Sequence, residues 1–182
     1  VENKLKTISR DSIAEAISKI ELYRSLNEPE EAESICLDIL AADPNNQLAL
    51  RFLGLTLTDQ FEGRNSDRYA EAEKIFQSLT DQYERLYYAG LLLERRAKAH
   101  LKAGVPAEIL VGSLRDAMHR FEEAEEIRPA RNDDAMLRWN RCVRLLEKLG
   151  CVPKEEEKTV LEDDDTAPID IRSRLGTRAA RW

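Results

Sequence analysis

Apolar residues recur at helical spacing along most of this chain. Ile13, Ala16, Ile17, Ile20 and Tyr23 fall on one 3.6-residue stripe, with Ser12 and Glu15 spaced as a capping box at its start. Asn27 reads as the N-cap of a second helix carrying Ala32, Ile35, Cys36 and Ile39, and Pro44 stops it. After the turn residues Asp43 to Asn46, Leu48 to Thr58 is apolar on almost every side, as in a helix held between neighbours. A polar loop, Glu62 to Asp67, leads to a fourth helix through Tyr69, Ala72, Phe76 and Leu79.

Two longer helices follow. Leu86, Gly90, Leu93, Ala97 and His100 mark the first, which ends at Gly104. Leu110, Leu114, Ala117, Phe121 and Ala124 mark the second, opened by Pro106. Each is expected to exceed five turns. A seventh helix carries Met136, Trp139, Val143 and Leu146 and stops at Gly150, which is placed to be a left-handed cap. The expected organisation is therefore all-α: an N-terminal extension over 1–11, a helical domain over 12–150, and a tail over 151–182.

The tail has a different composition. Lys154 to Asp165 holds seven acids and two lysines, whereas Ile171 to Trp182 holds four arginines and no acid. Such segregated charge with no core pattern predicts a disordered or partner-docking segment.

Charged residues make up 35% of the chain and hydrophobic ones 42%, the balance of a soluble helical protein. A net charge of −7 argues against general attraction to nucleic acid or anionic lipid, and no apolar run is long enough to cross a bilayer. A cytoplasmic location is expected, although a chain opening on Val1 leaves room for a removed targeting segment. Cys36 lies on an apolar stripe as a small hydrophobe, and the odd total of three cysteines does not suggest a disulfide framework.

The signatures of phosphate loops, hydrolase elbows, paired-cysteine zinc sites and zinc proteases are missing. Asp116, His119 and Glu123 share one helix face, but a helical di-metal site needs a second such helix. Neither enzymatic activity nor any cofactor or metal is expected.

Ala117-x3-Phe121-x2-Ala124-x4-Pro129 recurs in degenerate form as Ala32, Cys36, Ile39 and Pro44, and Tyr69-x-x-Ala72-x3-Phe76-x2-Leu79 and Leu53-Gly54 fit the same scheme. Residues 12–149 thereby resemble the tetratricopeptide repeat (TPR) family, whose units are 34-residue antiparallel helix pairs. Ala32 to Ala72 is 40 residues and Ala72 to Ala117 is 45, insertions of 6 and 11. Pro44 to Pro129 spans 85, two periods plus the same total insertion.

The resemblance implies a right-handed helical-hairpin solenoid of about three TPR-like pairs plus a C-terminal capping helix. Ala32, Cys36, Pro44, Gly54, Ala72, Phe76, Ala117, Phe121, Ala124, Pro129 and Trp139 would serve packing. It also implies a concave groove lined by first helices. The matching residues are Ile17, Glu21, Arg24, Leu48, Arg51, Leu55, Leu91, Glu94, Lys98 and Lys102, although Leu48 and Leu91 fit internal packing equally well. Members that clamp a chaperone's C-terminal carboxylate use lysine, asparagine and arginine at places held here by Ile17, Glu21, Phe52, Leu91 and Arg95. That activity is not expected.

The implied function is a protein-binding scaffold or adaptor that takes an acidic or amphipathic peptide or helix in the groove. Two alternatives stay open: an assembly subunit acting through homo-oligomers, and a chaperone-like module whose acidic tail competes for the groove.

Overall fold

The apolar stripes become seven α-helices in the computed structural model, which describes residues 3–62 and 67–151. They are α1 (Ile13–Ser25), α2 (Pro29–Ala42), α3 (Gln47–Asp59), α4 (Asp67–Gln77), α5 (Gln82–Lys102), α6 (Ala107–Glu126) and α7 (Asp134–Lys148). A single 3₁₀ turn, Arg10–Ser12, precedes them, and there is no strand among the described residues. Val1–Val152 form one compact unit. The charged tail lies, apart from Cys151, outside the described residues.

Helix ends follow local chemistry, with two corrections. Asn46 and Asp81 are extended and accept hydrogen bonds from the amides of Ala49 (3.0 Å) and Glu84 (2.9 Å). Ser12 makes no such bond. It is already helical, with φ −87° and ψ −5°, because the 3₁₀ turn feeds straight into α1, so the expected capping box does not form. Asn27 likewise closes α1 rather than opening α2. It sits at φ 60°, where its amide bonds the Arg24 carbonyl and the Glu28 amide bonds that of Tyr23. Asparagine tolerates this left-handed conformation better than most residues, and Pro29 then starts α2. Gly104 and Gly150 end α5 and α7 by the same pair of reversed hydrogen bonds, at φ 78° and 69°.

Each helix packs on its successor, and α1 also contacts α3, α3 contacts α5, and α5 contacts α7. The odd-numbered helices thus form a continuous series. Corresponding residues of the even helices face inward: Ala32 and Cys36 in α2, Ala72 and Phe76 in α4, and Ala117, Phe121 and Ala124 in α6 are all buried. Pro44 and Pro129 are exposed just beyond α2 and α6.

Two glycines bring paired helices together. A Cβ on Gly54 of α3 would lie 2.3 Å from the Phe76 ring of α4, and one on Gly90 of α5 would lie 2.7 Å from the Phe121 ring of α6. Only a residue without a side chain lets the rings lie there. Phe76 also stacks on Tyr88 of α5, with centroids 4.8 Å apart and planes 10° apart. Trp139 packs against the core only half-buried, because its indole N–H reaches outward to Glu122 of α6 at 3.0 Å.

Candidate partner-binding face

The series of odd helices carries a chain of ion pairs. Asp59, at the end of α3, accepts from Arg24 of α1 at 2.7 Å and also pairs with Arg95 of α5. Arg95 donates to Thr58 Oγ1 as well, at 2.7 Å. Earlier along the same two helices Arg51 meets Glu84 at 2.7 Å. Glu94 of α5 pairs with Lys98 one turn on, and its other carboxylate oxygen faces Arg138 of α7 at 3.6 Å. Consecutive odd helices are therefore bridged electrostatically as well as by apolar contact.

Five cations (Arg24, Arg51, Arg95, Lys98 and Arg138) thus face three carboxylates (Asp59, Glu84 and Glu94). Lys102, exposed at the end of α5, adds a further positive charge and has no ion pair among the described residues. It lines a cleft of about 180 Å³ with Thr58, Asp59, Phe61, Arg95, Lys98 and Ala99, where Asp59 is already paired with Arg95. The face is locally cationic on a chain whose net charge is −7. The partly exposed pairs of Asp59 and Glu84 contribute only about 0–1 kcal/mol each to stability, so their unbalanced charge matters more for what approaches the face.

The residues named for the groove divide by environment. Ile17, Leu48 and Leu55 are half-buried against the core, Glu21 is exposed, and Arg24, Arg51 and Lys98 are engaged in the pairs just described. Leu91 is 1% exposed and Glu94 0%, so both lie inside the helix packing, where a ligand cannot touch them without rearrangement. Asp59, Glu84 and Arg138 were not named. Asp59 follows a helix of almost continuous apolar character, and nothing local to it indicates that arginines from both flanking helices converge there.

Glu94 is a buried carboxylate with a cation on either side: Lys98 bonds one oxygen, and the other, which accepts no hydrogen bond among the described residues, faces Arg138. Neutralisation by Lys98 and Arg138 offsets the desolvation that its burial entails. Nearby, burial pushes the Cys142 thiol from its ordinary 9.0 up to about 12, with the Glu94 charge adding to the rise. Cys36 is raised to about 12 by burial in the same way. Such thiols are poor nucleophiles at neutral pH.

His119 faces Glu122 and Glu123 at 3.8 and 3.5 Å on the outer side of α6. Among the described residues no group of three or more His, Cys, Asp or Glu side chains is gathered as a metal-binding set, and no helix is long and apolar enough to cross a membrane. Comparison of the chain with protein-family models, curated proteins and solved structures finds no match.

Proposed function

We propose that the chain is a non-catalytic scaffold that binds an acidic segment of a partner protein along the face formed by α1, α3, α5 and α7. The observation that carries this reading is the excess of cations on that face in an otherwise acidic molecule. Half-buried Leu48 and Leu55 supply apolar contact, and Lys102 supplies a charge paired with no carboxylate among the described residues. Contacts between successive odd helices and the repeated Gly–Phe approach support a right-handed TPR-like array of about three pairs closed by α7.

A random-peptide library displayed on phage tests the reading. Selection on the wild-type chain is expected to enrich acidic segments containing apolar residues, and Lys102→Glu is expected to abolish that enrichment while leaving the fold intact. Equal enrichment on both proteins, or none on either, would refute the proposed face.

A second reading is favoured by Leu22, Leu26 and Leu37, which are 53%, 56% and 51% exposed in and beside α1 and α2. Apolar exposure there suits self-association. Light scattering over a range of concentrations checks it, and a mass that stays monomeric throughout rejects it.

A further inference from the structure

We infer that the chain has a second partner site, a cleft between α4 and α6 that takes a basic, apolar peptide segment. The cleft has a volume of about 430 Å³, within the range of about 300–1,000 Å³ usual for ligand pockets. α5 packs on both neighbouring helices and forms the cleft's floor with half-buried Leu86, Ala89 and Leu93, beneath which Leu92 and Phe76 of α4 are buried. The site lies on different helices from the ion-paired series, apart from α5, which contributes other residues to each.

Charge on the rim selects the occupant. Arg85 already donates to the carbonyls of Leu79 and Thr80 at 2.7 and 2.9 Å, where α4 ends. Arg120 is paired with Glu123 at 2.7 Å, and His119 sits between Glu122 and Glu123. Glu73 on the α4 wall and Asp116 on the α6 wall have neither an ion pair nor a hydrogen bond among the described residues. Two uncompensated carboxylates across an apolar floor favour a segment that seats leucine or an aromatic residue on the floor and offers lysine or arginine to each wall. An acidic segment would meet Glu73 and Asp116 on the two walls, with Arg85 the one arginine of the lining not already held by a carboxylate among the described residues.

The two sites would therefore read opposite charges, which makes them separable in one experiment. Selection of the phage-displayed random-peptide library on the full chain is expected to yield a class pairing Lys or Arg with Leu or Phe. Glu73→Lys/Asp116→Lys should lower enrichment of that class by about tenfold or more. Lys102→Glu should leave it unchanged while depleting the acidic class, so failure of the acidic class to appear on the wild type would count against the odd-helix face and not against this cleft. Ala89→Gln, which fills the floor without altering charge, should also deplete the basic class. Failure to enrich a basic class, or its equal enrichment on the wild type and the Glu73→Lys/Asp116→Lys variant, would overturn the inference. Far-UV circular dichroism of each variant must match the wild type, and a variant that fails this check is replaced by Glu73→Gln/Asp116→Asn, for which the same loss of preference is required.

Discussion

Replacing Gly54 by alanine sets two known effects against each other. Alanine favours a helix interior over glycine by about 1 kcal/mol, so local propensity alone would make the variant more stable. Packing argues the opposite. The new methyl would lie 2.3, 2.7 and 2.8 Å from three atoms of the Phe76 ring, all closer than carbon atoms tolerate. That ring has little room to retreat, being 1% exposed and stacked on Tyr88 at 4.8 Å. Overpacking of this kind costs about 1–3 kcal/mol, and three simultaneous clashes against a confined ring place it at the upper end. The net expectation is destabilisation by about 2 kcal/mol, or a fall in Tm of about 4–8 °C. Gly112 supplies the control: it lies in α6 with nothing within 4 Å of an added Cβ. Gly112→Ala should therefore raise stability by about 0.5–1 kcal/mol. Urea denaturation followed by circular dichroism compares the two. If Gly54→Ala stabilises the chain as Gly112→Ala does, the close approach of α3 and α4 is wrong. Restoration of stability in Gly54→Ala/Phe76→Leu would identify the ring as the cause.

Other expectations concern buried polar groups. Glu94→Ala leaves Lys98 and Arg138 without their carboxylate; both are about one-third exposed, so the loss should be about 2 kcal/mol, below the range of about 3–5 for a wholly buried pair, and a loss below about 0.5 in urea denaturation would contradict the bridge between α5 and α7. Burial raises Cys36 and Cys142 from 9.0 and Tyr83 from 10.0, each to about 12, so the folded chain holds these protons more tightly than the unfolded one. Their contribution to stability is fully present below about pH 9 and is lost as pH rises towards 12, with a slope of up to about 1.4 kcal/mol per pH unit for each group. Equilibrium unfolding across that range checks this, and Cys36→Ala/Cys142→Ala should move the onset to about pH 10, where Tyr83 begins to titrate in the unfolded chain. In the native chain a thiol reagent should modify Cys151 well before the two buried cysteines, and equal rates for all three would contradict that burial.

Helix periodicity made the architecture largely legible. Gly104 and Gly150 stood directly after apolar stripes, where a left-handed closure is the usual role of glycine, and both adopt it. Asn27 was expected to open α2 and instead closes α1, because asparagine serves either end of a helix and Pro29 takes the first position of α2. Ser12 carried a capping pattern that the preceding 3₁₀ turn overrode. Trp139 fell on an apolar stripe, yet the reach of its N–H to Glu122 holds it at the edge of the core, a contact that depends on how α6 and α7 lie together.

The candidate site was less legible. Glu94 and Lys98 look like an exposed pair one helical turn apart, and their true setting is set by Arg138 arriving from α7. The convergence of Arg24 and Arg95 on Asp59 likewise joins three helices with no common local motif. The outer cleft could not be read from spacing, because it depends on α5 holding α4 and α6 apart.

Backbone-amide NMR during titration with an acidic peptide from the library gives the most direct test of the odd-helix face. The largest shift changes are expected at Leu48, Arg51, Leu55, Lys98 and Lys102, diminishing as salt is added and vanishing in Lys102→Glu. Changes centred on Glu73, Ala89 and Asp116, or spread evenly over all seven helices, would contradict it.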